Sequence, residues 1–367
     1  MQLYNMEFTE AEIREAVAAN RLLSMEIEFS RACNFRCAYC YLEDRTASAG
    51  EMTREEIKDV LLQARDLGAR KIIILGGEPS IYPHLIEMVR YLGQLGLDIE
   101  MFTNGSGVTP ELAEVLAEER VRVVVKMNSR NEDIQDRLAG KNGAFMIIET
   151  AFGNLRQAGY PLNGLFLAAS TVICRQNIGE LPALWQWLRE QRIEPYFEVL
   201  TPQANALENV WLDVGPAELR ELFQQLAAID RERFGRIWEP QPPLAGNRCM
   251  RHQVSCVVNA KGQVTPCVGV TIQLGSIREQ RLADILRHQV VCDLKNYRQM
   301  IKGPCASCEK SEECYGCRGA AYQMTGDYLA SDPTCWRNSE AGEGGAGMPE
   351  KSCPLPAASS PVCGKGS

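Results

Sequence analysis

Cys33, Cys37 and Cys40 stand in a C-x3-C-x2-C spacing on one short stretch of the chain. Three thiolates on one tight loop can ligate three irons of a 4Fe-4S cluster and leave the fourth iron open. An open iron is a place for a small molecule to bind and react. The stretch follows residues 25–29 (Met-Glu-Ile-Glu-Phe), an alternating run that reads as a strand. A second set of cysteines lies far along the chain: Cys249, Cys256, Cys267, Cys305, Cys308, Cys314, Cys317 and Cys335.

Composition narrows the chemistry. Of 367 residues, 45% are hydrophobic and 23% charged, as expected of a globular chain long enough for more than one domain. The N-terminal residues lack the basic-then-apolar form of a signal peptide, so the expected compartment is the cytoplasm. Fifteen cysteines in such a chain point to metal ligation rather than disulfides, because the cytosol keeps thiols reduced. The net charge of -8 argues against a general nucleic-acid binder. No apolar run approaches the roughly 20 residues needed to span a bilayer, so no membrane partner is expected. His84, His252 and His288 are the only histidines, too few for histidine-built zinc sites or a Ser-His-Asp triad.

Elements that position the cysteine loop can be read in order. Thr9 to Glu12 and Thr53 to Glu56 each have the form of a capping box. Strands are expected at 25–29, 71–75, 98–102, 121–127, 165–172 and 195–200, with helices at 53–67, 82–95, from 109, at 144–158 and from 178. This alternation implies six β/α units on a parallel sheet, the α/β fold of a partial (β/α)6 TIM-like barrel. In such folds chemistry sits at the C-terminal ends of the strands. The cysteine loop, Gly76-Gly77-Glu78, Thr103-Asn104-Gly105 and Asn128-Ser129 all fall there. The expected organisation is an N-terminal helical extension (1–24), the barrel (25–201), a helical linker (202–246), a cysteine-rich domain (247–336) and a disordered tail (337–367) that carries Cys353 and Cys363.

These residues resemble the radical S-adenosylmethionine (radical SAM) superfamily, and within it the members with a SPASM domain. The likeness covers roughly residues 25–335. It rests on the Cys33, Cys37, Cys40 spacing with Tyr39 before the last cysteine, on Gly76-Gly77-Glu78-Pro79, and on the C-terminal cysteine order. The resemblance implies S-adenosyl-L-methionine chelated at the open iron and cleaved reductively to a 5′-deoxyadenosyl radical, which takes hydrogen from a substrate. It implies a flavodoxin- or ferredoxin-type electron donor. It places Gly76, Gly77, Glu78 and Pro79 by the methionine end of SAM, the Tyr39 backbone by the adenine, and Thr103 and Asn104 near the ribose. Relatives often carry Ser-Ile-Asp-Gly and then Asp-x-x-Arg-Gly. Here Lys126 to Ser129 and Asp136 to Gly140 align with those motifs, so Lys126 and Ala139 replace the usual Ser and Arg. Two readings follow for Lys126: its ammonium replaces the lost Arg charge toward the SAM carboxylate, or it points to solvent or pairs with an acid.

By the same resemblance the C-terminal cysteines hold two auxiliary 4Fe-4S clusters, three clusters in all. Cys249, Cys267 and Cys317 belong to the first, with Cys256 as candidate fourth ligand. Cys305, Cys308, Cys314 and Cys335 belong to the second. The gap before Cys317 is one residue short of the common form. A zinc ribbon is the competing reading, since Cys305-x2-Cys308 with Cys314-x2-Cys317 has zinc-like spacing. Cys174 and Cys292 read as ordinary buried thiols. His252, between Cys249 and Cys256, reads as packing or as a contact to a ligand. Glu198, at the end of the sixth strand, is the candidate catalytic side chain facing substrate.

The expected function is therefore a radical SAM/SPASM enzyme acting on a peptide or protein side chain, by oxidation or crosslinking. Against the peptide stands the short N-terminal segment, which leaves no separate peptide-recognition domain. A small molecule such as a tetrapyrrole in haem biosynthesis is the alternative substrate. Outside enzymes, an iron–sulfur electron carrier or scaffold is the competing class, although a carrier has no need of Gly76-Gly77-Glu78.

Overall fold

Thr9 and Thr53 cap the first two helices of the chain as their capping boxes predict, α1 (Glu10–Ala18) and α2 (Arg54–Asp66). The computed structural model describes residues 8–46, 49–249 and 251–340. Cys353, Cys363 and the rest of the expected tail from residue 341 on lie outside the described residues. Residues 337–340 of that expected tail lie in a short helix, Trp336–Glu340.

Six strands pair in chain order, every pair parallel. They are β1 (Ser24–Glu28), β2 (Lys71–Leu75), β3 (Asp98–Thr103), β4 (Arg122–Lys126), β5 (Leu167–Ile173) and β6 (Glu194–Val199). The connections are α2, α3 (Leu85–Gln94), α4 (Pro110–Glu118), the pair α5 (Glu132–Ala139) and α6 (Ala144–Gln157), and α7 (Leu181–Glu190). Pro110 opens α4 at its first helical position, where a missing N–H costs nothing. The expected strands fall within about two residues of the observed ones. Helix α5 is absent from the expected elements, although Asn131 caps it and Glu132 and Asp133 fill its first turn.

The sheet runs β6-β5-β4-β3-β2-β1 and then continues through β7 (Val257–Val258), β8 (Gln263–Thr265) and β9 (Gly275–Ser276). β6 and β1 are not hydrogen-bonded to each other, so the barrel is partial. β7 joins β1 in parallel at Glu26 and Ile27, which welds the cysteine-rich region onto the barrel sheet. Two-residue strands carry no readable alternation, so this junction is invisible in the sequence. The free side of β6 is partly covered by the linker: Val199 N–H donates to Pro243 O and Ala245 N–H to Phe197 O.

Alternation along β3 buries Ile99, Met101 and Thr103 and leaves Glu100 and Phe102 on the other face. On that face Glu100 accepts from Lys71 and Arg122, and Arg251 lies 2.8 Å from Glu26. The barrel interior is thus lined by paired charges, and the apolar core lies between sheet and helices. Helix α8 (Pro216–Phe234) is pinned to α7 by Asp230, which accepts from the Trp185 and Trp238 indoles and pairs with Arg189.

Candidate active site

Segments that follow the strands on one rim hold the cysteine loop from several sides. Gly77 N–H donates to Ser30 O and Glu78 N–H to Ala32 O. The approach is close enough that a Cβ on Gly77 would lie 2.1 Å from Ala32 O, so only glycine fits there. The C-terminal end of α5 takes the other side: Arg36 N–H donates to Ala139 O and Ala38 N–H to Leu138 O. Phe35 is buried against Ala139 and Ala144 and anchors the tip. Two residues that the sequence reading passes over close the loop from above. Asn205 donates from its side chain to Cys37 O at 3.1 Å, and Asn209 to Ala38 O at 3.1 Å.

The loop's three sulfurs line one cavity of about 230 Å³ together with Tyr39, Gly76, Gly77, Glu78, Thr103, Asn104, Lys126 and Glu198. The structure thus brings these sequence-predicted residues together at one cavity. Two expected members stand apart. Ser129 is buried and spent on the turn before α5, where it bonds Asn131 and Gln135. Pro79 is buried at the start of a short 3-10 turn over residues 79–81.

Glu78 is held by four donors: the Ser80 N–H and hydroxyl, the Thr103 hydroxyl and the Asn104 N–H. Three of these fall on Oε1 and one on Oε2. A carboxylate has about four lone-pair directions, so Oε2 keeps one that these four donors do not use. Burial pushes the Glu78 carboxyl up, and these hydrogen bonds oppose it.

Lys126 lies across the cavity. Its Nζ donates to Ser170 Oγ at 3.0 Å and to Glu198 Oε1 at 3.2 Å, and sits 5.2 Å from the centre of the Tyr39 ring. Of the readings open to it, pairing with an acid is the one present here. That acid is the candidate catalytic residue itself.

The donor set fits an iron cluster. Burial pushes the Cys37 thiol up to about 12, and the neighbouring Cys40 and Cys33 add to the shift. Without a metal these buried sulfurs stay as neutral thiols; a cation set among them would hold them as thiolate ligands. Among the described residues, no three His, Cys, Asp or Glu side chains gather closely enough to hold a single metal ion. A four-iron cluster interposes its own irons and sulfides, so its cysteines stand farther apart than the ligands of one ion.

A second cavity, about 80 Å³, is lined by Cys249, Cys267, Cys317 and His252. It shares Tyr196, Glu198, Val199, Thr201, Arg251 and Val268 with the first, so the two cavities adjoin. Here backbone N–H groups point at sulfur: Val270 at Cys267 and Ala320 at Cys317, each 3.3 Å, while Tyr315 donates its hydroxyl to Cys249 at 3.5 Å. Cys256 is not in this group. It is 1% exposed in the apolar core, with Glu26 and Lys295 as its charged neighbours. The remaining set has the same N–H to sulfur pattern. Lys310 donates to Cys308, Gly316 to Cys314, and Asp332 and Asn338 to Cys305. Cys335 sits close enough to Cys305 and Cys314 for their charge to push its thiol up, after burial and Asp332, to about 12. N–H groups aimed at sulfur stabilise thiolates and tune clusters that they ligate.

Two family models match the chain in tandem. The radical SAM superfamily model covers residues 27–188, and an iron-sulfur cluster-binding domain, SPASM, covers residues 249–317. The chain belongs to the radical SAM superfamily, in its SPASM branch. It is a radical SAM enzyme whose cofactors are S-adenosylmethionine and 4Fe-4S clusters. An AdoMet-dependent heme synthase of Methanosarcina barkeri is 28% identical over 86% of this chain and 96% of that one. A PqqA peptide cyclase of Rhizobium meliloti is 26% identical over 86% and 87%. Among solved structures, Streptococcus suis SuiB bound to precursor peptide SuiA superposes with a TM-score of 0.67 at 17% identity, over 87% of this chain and 77% of that one. That likeness is one of fold. No helix among the described residues of this enzyme is long and apolar enough to cross a membrane.

Proposed function

We propose that this radical SAM enzyme takes a hydrogen atom from a peptide or protein side chain inserted between the two adjoining cavities. Cys33, Cys37 and Cys40 would hold the cluster that binds SAM. Gly76, Gly77 and Glu78 would receive the methionine end, Thr103 and Asn104 the ribose, and Tyr39 the adenine. When bound, the cluster and SAM supply a reductively released 5′-deoxyadenosyl radical, the hydrogen-abstracting agent. The protein's own part is to bind, orient and exclude water. Glu78 keeps one lone-pair direction for an ammonium. Lys126 offers a cation to a carboxylate, and its charge is balanced by Glu198 until a ligand competes. Glu198 lines both cavities and so faces whatever enters between them. Cys249, Cys267 and Cys317 would hold one auxiliary cluster, and Cys305, Cys308, Cys314 and Cys335 the other. A reducing, cytoplasmic compartment and a flavodoxin- or ferredoxin-type donor belong to the same reading.

The observation that carries the peptide is the small, half-open space at the cysteine loop. Pockets that bury a whole small molecule run to roughly 300–1,000 Å³. The main cavity, about 230 Å³, falls below that range and must also receive SAM. A single side chain delivered from outside needs less enclosed room than a complete macrocycle. A second reading, a tetrapyrrole of haem biosynthesis as substrate, is favoured by the identity to the Methanosarcina barkeri heme synthase, which extends over nearly all of that protein.

The test is anaerobic incubation with SAM, reductant and deuterated substrates: a peptide panel and a panel of tetrapyrroles of haem biosynthesis. Deuterium appearing in 5′-deoxyadenosine with a peptide supports the first reading. Deuterium only from a tetrapyrrole overturns it in favour of the second.

A further inference from the structure

Cys249, Cys267 and Cys317 supply three sulfurs to a cluster that has four irons. The sequence candidate for the fourth place, Cys256, is buried elsewhere, in the core behind β1. The cavity that the three sulfurs line contains another group able to bind iron. His252 lies on the short helix at residues 251–254, three positions after Cys249, and is 5% exposed. Its Nδ1 is buried without any hydrogen-bond partner. A buried imidazole nitrogen left unpaired is costly unless something absent from the protein chain satisfies it. The ring is fixed by an edge contact to Tyr315 with centroids 5.3 Å apart, and the Tyr315 hydroxyl in turn donates to Cys249 Sγ. One tyrosine thus sets the place of a sulfur and of a nitrogen at the same cavity. Gly269 and Gly319 back it, packed so closely that a Cβ on Gly269 would lie 2.7 Å from Gly319 Cα.

We propose that His252 Nδ1 is the fourth protein ligand of the auxiliary cluster at Cys249, Cys267 and Cys317. The proposal rests on the assignment of those cysteines to a cluster under the proposed function. A cluster held by three cysteines and one histidine carries one negative charge fewer from its ligands than one held by four cysteines. Replacing thiolate by neutral imidazole raises a cluster's reduction potential, so this site accepts electrons more readily than an all-cysteine version would. With all four irons held by the protein, it has no position open for substrate.

The experiment uses the full chain with Cys33, Cys37 and Cys40 all changed to Ala, which removes the signal of the SAM-binding cluster. The chain contains only three histidines, so histidine labelling reports on few nitrogens. The reduced protein is prepared with natural-abundance and with 15N-labelled histidine and studied by pulsed EPR. The expected result is one strongly coupled nitrogen that changes isotope with the label. It survives a His84→Gln, His288→Gln double substitution and Cys256→Ala, and disappears in His252→Ala. His252→Cys should restore a four-iron cluster with a lower potential and no coupled nitrogen. If about eight irons per chain are present and no strongly coupled nitrogen is seen, His252 is not a ligand and the proposal fails while the cluster assignment stands. If the iron content falls to about four and further Cys249→Ala leaves it unchanged, the cluster assignment itself fails and the proposal falls with it. The labelling comparison needs no change at His252, so it decides the matter even where His252→Ala fails to fold.

Discussion

Lys126 Nζ stands 3.2 Å from Glu198 Oε1, so the cation that replaces an uncharged residue of the family pattern is already balanced by the acid that lines both cavities. Both side chains are mostly buried, at 23% and 32% exposure. A hydrogen bond to a charged group is worth about 1.5–3 kcal/mol. Lys126→Ala should therefore weaken SAM binding by about tenfold or more. Glu198→Gln should leave SAM affinity within about threefold, since Lys126 keeps its charge, and lower turnover instead. Equilibrium binding of SAM to the anaerobic protein, with single-turnover rates, separates the two. Equal losses of affinity in both variants would show that Lys126 serves only to hold Glu198.

The Lys126–Glu198 pair also shows where sequence stops being informative. Its members are 72 residues apart on different strands, and only the register of β4, β5 and β6 brings them together. Cys33, Cys37 and Cys40 were legible because their chemistry depends on local spacing, and the strands because each is a short apolar or alternating run set between helix signals. Helix α5 could have been found: Asn131 followed by Glu132 and Asp133 is a helix start written in the sequence. Cys256 misled because order along the chain says nothing about which side of a strand a thiol faces. His252 stands alone between two cysteines, and a lone histidine carries no spacing signal.

Gly77→Ala should remove the SAM-binding cluster and spare the others. The added methyl would meet Ala32 O and Arg31 O at 2.1 and 2.4 Å, both backbone atoms that cannot swing aside. The loop that presents Cys33 must then move. Iron analysis of the anaerobically prepared variant should show a loss of about four irons per chain, with the auxiliary clusters retained. A full iron complement would mean that the close packing of β1 and β2 ends relaxes without cost to the loop.

Arg278, from the cysteine-rich region, latches onto the start of α2. It donates to both oxygens of Glu56 and to the Gly50 and Glu51 carbonyls. The Arg278 guanidinium, with the Thr53 N–H, holds the Glu56 carboxyl down at about 2. A carboxyl depressed in the folded state adds stability that is fully present above its unfolded value of about 4.3 and is lost as pH falls toward 2. Both side chains are about a third exposed, so solvent limits the latch to about 0.5–1 kcal/mol. Thermal unfolding followed from pH 6 down to pH 2.5 should lose less stability in Arg278→Met than in the unchanged protein. Parallel curves would show that the latch does not couple to Glu56 ionisation.

Asn205 and Asn209 strap residues 205–209 over the cysteine loop, and the donor N–H is what the strap depends on. The Asn205 side chain donates to Cys37 O and its backbone N–H to Cys40 O, while the Asn209 side chain donates to Ala38 O and to Asn205 O. Each bond contributes about 1 kcal/mol, which corresponds to about fivefold in the population of an opened loop. Asn209→Ala should therefore speed release of iron from the Cys33, Cys37 and Cys40 site to a chelator about fivefold, and the double variant with Asn205→Ala more than either alone. Asn209→Asp is the sharper variant. It preserves shape and the Oδ1 acceptor but loses the donor, and it sets a carboxylate against the Ala38 carbonyl. It should open the loop at least as much as alanine does. Release from the auxiliary sites, followed in the same trace as the slower phase, should not change in any of these variants. If Asn209→Asp released iron at the rate of the unchanged protein, the strap would be holding the loop by packing and not by the amide donor.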